Sequence, residues 1–196
     1  MKLRNLCLAA ILLTGSSMYA SVITYVVTMN GPSESPANAS PGTGGAVITI
    51  DNVANTLSLN MFFSGLTGTT TASHIHCCTA VPLTGTAGVA TTTPFFTGFP
   101  IGVTSGSYNN TFDLTLASSY NSAYITANGG TTATAEAALL SGIALGKAYL
   151  NVHSTTFGGG EIRGFLVLAP EPATFGLMGL ALAGLLAFGR FRRLSA

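Results

Sequence analysis

Apolar side chains fall at every second position in several short runs of this chain. In Ile23-Thr24-Tyr25-Val26-Val27-Thr28-Met29 the apolar places are 23, 25, 27 and 29, the spacing of a strand with one buried face. Residues 46–50 and 57–63 repeat the alternation on either side of 51–55, which predicts a hairpin. Residues 72–77 predict a strand with His74 and His76 on one face and Ile75 on the other. Residues 111–116 alternate with Phe112, Leu114 and Leu116 on one side. Residues 147–153 and 161–168 predict two last strands joined across Gly158-Gly159-Gly160. The period changes only at 134–143, where Ala135-Glu136-Ala137-Ala138-Leu139-Leu140 follows threonines able to cap it and predicts one short helix. Residues 30–45 and 79–106 are rich in Gly, Pro, Ser and Thr and predict loops, the second with a short strand around Val89. Seven or so short strands between such connections predict a mostly β fold, an antiparallel β-sandwich.

The two ends follow other rules. Residues 1–20 open with Lys2 and Arg4, continue through Leu6-Cys7-Leu8-Ala9-Ala10-Ile11-Leu12-Leu13 and finish in small residues. This is the order of a secretory signal peptide, cleavable after Ala20 or after Ser17. Residues 173–189 carry no charge and stop at Arg190-Phe191-Arg192-Arg193. At about 1.5 Å per helical residue the run reaches roughly 25 Å, and snorkelling arginines extend it toward a ~30 Å hydrocarbon core. A transmembrane helix over 173–189 is expected, with the arginines inside and the main domain, residues 21–169, outside.

Charge narrows the function classes. The domain holds the acids Glu34, Asp51, Asp113, Glu136 and Glu161 against Lys147 and Arg163, a net charge of −3. With no basic patch, nucleic acid is not an expected partner. Sparse charge with abundant Thr, Ser, Asn and Gly suits an exported β domain, and the recurring alternation excludes disorder. Once the signal is removed only Cys77 and Cys78 remain, so no disulfide framework is expected. There is no Gly-x-Ser-x-Gly, phosphate loop or zinc-protease motif, and no catalytic residue is assigned.

Two sets of residues match known families. Pro170-Glu171-Pro172, an apolar run and the cluster of Arg190, Arg192 and Arg193 resemble, in that order at the C-terminus, the bacterial PEP-CTERM sorting signal. That resemblance implies an exosortase-type processing enzyme as partner, a membrane-anchored intermediate, and delivery to the cell surface or the extracellular matrix. An ordinary single-span anchor is the plainer alternative. Residues 22–168 resemble the CHRD domain through His74-Ile75-His76, Ala148-Tyr149-Leu150-Asn151-Val152-His153 and Gly160-Glu161-Ile162-Arg163-Gly164-Phe165, with an imperfect opening motif at Gly31-Pro32-Ser33-Glu34-Ser35-Pro36. The sandwich is expected to be immunoglobulin-like or Cu/Zn superoxide dismutase-like. A weaker similarity to copper–zinc superoxide dismutases places His74, His76, His153 and Arg163 where those proteins carry a His-x-His strand, a late strand histidine and an arginine after a Gly-rich turn. Their disulfide, zinc-ligand loop and Asp-rich stretch have no counterpart here.

The candidate chemistry follows from spacing. His74 and His76 share one strand face, and alternation puts Tyr149, Asn151 and His153 on a common side of a late strand. If those strands are neighbours, three imidazoles converge, a ligand set for copper or zinc. The alternative is that the rings brace the fold through bonds to backbone or to Glu161. Glu161 and Arg163 are candidates for supporting roles, as an ion pair or beside His153. Cys77 and Cys78 are read as soft ligands, a vicinal redox disulfide, an intermolecular bridge or two small buried side chains, with Cys78 on the histidine face if the strand runs that far. The leading expectation is a non-enzymatic surface or matrix module that binds an extracellular polysaccharide or protein. A three-histidine metal protein, redox-active with copper, is the alternative.

Overall fold

A computed structural model describes residues 22–170. The expected signal peptide, the expected transmembrane helix, and Glu171, Pro172, Arg190, Arg192 and Arg193 lie outside the described residues. No helix among the described residues is long and apolar enough to cross a membrane.

The strands are β1 (Val22–Asn30), β2 (Thr43–Asp51), β3 (Thr56–Ser64), β4 (Thr70–His76), β5 (Gly106–Asp113), β6 (Tyr149–Ser154), β7 (Ile162–Phe165) and β8 (Val167–Leu168). Their ladders are antiparallel and run in the order β4-β6-β7-β1-β2-β3-β5, with β8 on β1. The fold is mostly β and antiparallel, as expected. Its hydrogen bonds, however, run through one curled sheet and not two separate ones. β1 makes the join: it pairs with β2 from end to end but meets β7 only at Asn30 opposite Arg163.

Period-two patterning fills the space the sheet encloses. Tyr25, Val27 and Met29 of β1, Ala46, Ile48 and Ile50 of β2, and Leu57, Leu59, Met61 and Phe63 of β3 are buried, while Val26, Val47 and Phe62 face outward. Ile75, Leu150, Val152 and Ile162 from β4, β6 and β7 join the same core. Each large side chain so buried stabilises the fold by about 1.5–3 kcal/mol. The opposite face of β4, β6 and β7 is therefore free to carry polar groups.

Among the described residues two α-helices form where one was expected. α1 (Ser122–Ala127) starts where Asn121 Oδ1 accepts from the Ala123 amide, and it buries Tyr124. A six-residue helix shows too little periodicity to be read in advance, and its cap and its packing decide it. α2 (Thr132–Ala144) covers the expected helix, opened by a Thr131–Thr134 capping box, with Ala135, Leu139 and Ile143 buried one turn apart. The strand expected over 111–116 is also displaced. β5 ends at Asp113, whose carboxylate accepts from the Thr115 amide and hydroxyl, and the turn leaves Leu116 exposed. Around Val89 the chain makes a single bridge to His76.

Candidate metal centre

β4 and β6 are neighbours, with His74 opposite Asn151, His76 opposite Tyr149 and Ala72 opposite His153. Two-residue spacing places His74 and His76 on one face, and the register brings His153 onto it. The three ring centroids are 5.4 to 5.8 Å apart. One ligand-capable nitrogen from each ring lies within 4.8 Å of the other two.

Backbone carbonyls set the tautomers. His74 Nε2 donates to Pro94 O at 2.6 Å, His76 Nδ1 to Ala87 O at 2.9 Å and His153 Nδ1 to Gly158 O at 3.0 Å. A carbonyl can only accept, so each of these nitrogens carries the ring proton. The others, His74 Nδ1, His76 Nε2 and His153 Nε2, are left as buried acceptors with no partner. A buried acceptor without a donor costs about 1–3 kcal/mol, and three of them at one point need an explanation. Burial holds His74 and His76 down to about 4, and pushes His153 below its ordinary value. All three rings are neutral at pH 7, the form that ligates metal.

The surroundings hold the rings still. Tyr149 stacks on His76 at 4.8 Å with the planes 5° apart, and its hydroxyl donates to Ala87 O at 3.3 Å. Arg163 lies over Tyr149, 4.7 Å from the ring centre. It is buried, with Nε donating to Ser33 O at 2.5 Å and Nη1 to Gly85 O at 2.9 Å, and it faces Glu34 at 3.8 Å. It therefore pairs with Glu34, not with Glu161. Glu161 is fully buried and accepts from Ser40 Oγ at 2.6 Å, from Thr67 N, and from Gly68 N at 3.2 Å. Burial alone would raise its carboxyl, but bonds from Ser154, Ser40, Thr67 and Gly68 outweigh it and hold the group below the usual carboxylate range. It ties the 40 and 67–68 segments together and bonds none of the imidazoles.

Cys77 and Cys78 form a disulfide with each other. Their sulfurs rest against Gly142 of α2 and are not part of the histidine group. β4 stops at His76, so strand alternation does not carry Cys78 onto the histidine face. Two residues beside the site escaped the sequence reading of its chemistry. Glu34 and Asn151 are buried, and Glu34 Oε1 and Asn151 Oδ1 have no hydrogen-bond partner. Burial pushes the Glu34 carboxyl up to about 7, with Arg163 opposing the shift. Gly160, at φ 134°, makes the room, since a Cβ there would stand 2.5 to 2.7 Å from the Asn151 amide and Glu34 Oε1. The alternation of 149, 151 and 153 did mark Asn151 as sharing the histidine face. For Glu34 the only signal was its place in the opening motif.

A curled antiparallel β domain with three neutral imidazoles clustered on neighbouring strands, on the face away from the apolar core, is the class this arrangement defines. The model of the CHRD domain matches residues 25–166, and the chain belongs to that family. The PEP-CTERM protein-sorting motif matches residues 168–193. The protein is thus an exported one whose sorting signal is of the kind recognised by exosortase-type processing. No curated protein and no solved structure matches the chain.

Proposed function

We propose that this exported domain binds a transition-metal ion through His74 Nδ1, His76 Nε2 and His153 Nε2. The observation that carries the reading is the convergence of three buried nitrogens that have no other partner. Three neutral imidazoles without a carboxylate or thiolate suit copper or zinc, and the general order of divalent affinities favours copper. The carbonyls of Pro94, Ala87 and Gly158 play the supporting part that fixes ring orientation and tautomer in metal proteins. A superoxide dismutase-like sandwich is the finer fold reading that goes with this ligand set, and redox activity of bound copper goes with it too. No catalytic residue is assigned.

The division into a signal peptide at 1–20, a domain at 21–169 and a sorting tail at 170–196 with a transmembrane helix belongs to the same proposal. It sets the metal site outside the inner membrane, on a protein passed to the cell surface or the extracellular matrix. Binding of an extracellular polysaccharide or protein is a separate reading. It rests on composition and on the outward-facing Val26, Val47 and Phe62 among Thr, Ser and Asn side chains, and metal loading neither requires nor excludes it.

Copper(II) added to chelator-treated chain tests the site by electron paramagnetic resonance. A stoichiometric signal with nitrogen hyperfine structure, lost in His76→Ala, is expected. A spectrum unchanged by that substitution overturns the proposal.

A further inference from the structure

The histidine strand runs directly into the Cys77–Cys78 disulfide, which the metal reading does not use. Cys77 is 5% exposed and its amide donates to Gly88 O at 3.1 Å, whereas Cys78 is exposed. Both line a cleft of about 450 Å³ with Val89, Asn121, Tyr124 and Asn128. The disulfide sits on Gly142, inside α2, where a Cβ would occupy the space of both sulfurs. A mid-helix glycine costs about 1 kcal/mol relative to alanine, and the seat it makes for the sulfurs accounts for it. The Ala138 carbonyl lies 3.8 Å from Cys78 Sγ. It can bond no disulfide sulfur, but it stands where a Cys78 thiol would donate.

We propose that Cys77–Cys78 is a thiol-exchange site that takes a small-molecule thiol through this cleft, with Cys78 as the sulfur attacked. The incoming thiolate forms a bond to Cys78 Sγ as the Cys77–Cys78 bond breaks. The electron pair goes to Cys77 Sγ, which takes up a proton. A second thiol attacks the external sulfur of the mixed disulfide, frees Cys78 as a thiol and leaves with the first as their own disulfide. Two thiols lose two electrons and the protein pair gains them. Access selects the order, since exchange goes through the sulfur a nucleophile can reach. The site stands whether or not the histidines carry an ion.

The test uses the full chain in detergent micelles, freed of metal by chelator and exposed to glutathione, with acid quenching, alkylation and peptide mapping. Both cysteines are expected to become alkylatable while near-ultraviolet circular dichroism stays native, with the early glutathione adduct on Cys78. Cys77→Ser has no internal disulfide and is given glutathione disulfide instead. It is expected to take one glutathione onto Cys78 with release of the other as thiol, whereas Cys78→Ser under the same conditions is expected to take none. Should the variants fail to fold, early time points of the wild-type chain locate the adduct. Reduction that begins only when urea unfolds the chain, or an adduct on Cys77, overturns the proposal.

Discussion

Each histidine in the cluster gives its one N–H to a backbone carbonyl, two on the segment between β4 and β5 and one on that between β6 and β7, and this leaves three buried nitrogens without a partner. Burial outweighs these bonds and keeps the imidazoles neutral, and pH dependence follows in the metal-free protein. His74 and His76 are lowered from 6.5 to about 4 by burial, so they contribute stability that is full above pH 6.5 and lost as the pH falls through 4. Glu34 is raised from 4.5 to about 7, so its contribution is full below pH 4.5 and lost as the pH rises through 7. Histidine outnumbers carboxylate where the windows overlap. The urea midpoint of metal-free protein is expected to fall between pH 6.5 and 4.5, and the double variant His74→Gln, His76→Gln is expected to reverse that slope. A wild-type midpoint that rises on acidification would show the rings are not held neutral. His76→Ala, which loses the Tyr149 stack and the Ala87 bond, is expected to cost the metal-free fold about 1–3 kcal/mol by urea unfolding. The histidine face was legible because strand period two needs no tertiary knowledge. The carbonyls at 87, 94 and 158 were not, since they come from segments without periodicity. Glu34 reaches the face across the fold, opposite a residue more than a hundred positions away.

At the scale of elements, a polar tie adds to the apolar core that holds the histidine strands in place. Glu161 enters just before β7 and joins the 40 and 67–68 segments, on whose far sides β2 and β4 begin. Glu161→Gln replaces an acceptor with an amide that points a donor at backbone N–H groups. A loss of about 2–4 kcal/mol in urea unfolding is expected, with metal stoichiometry unchanged. Loss of metal along with stability would mean that Glu161 acts on the site itself. The strand and hairpin assignments over 23–63 were readable because long alternating runs decide their own register. The end of β4 and the end of β5 were not. Both are set by local turns, the disulfide in one case and the Asp113 turn in the other, and these override a pattern that would otherwise continue.

At the scale of the whole molecule, one sheet curls so that a well-packed half, β1-β2-β3-β5, supports a half whose outer face carries the imidazoles. That β1 and β7 join the halves into one hydrogen-bonded sheet was not legible, because alternation specifies faces and says nothing of how the last strand of one half meets the first of the other. The sorting motif adds the route outward. Replacing Arg190, Arg192 and Arg193 together with Ser is expected to leave unprocessed protein in the membrane fraction, read by immunoblot against the wild-type surface fraction. Surface delivery at the wild-type level would show that the tail is not what sorts the protein. The role proposed for the histidine cluster turns on the metal. Protein recovered from an oxidising compartment without chelators, analysed by inductively coupled plasma mass spectrometry, is predicted to hold about one copper or zinc ion per chain, absent from His74→Ala and His153→Ala variants that keep the native fold. No bound metal in the wild-type protein, even after folded sample is offered copper and zinc, would contradict it.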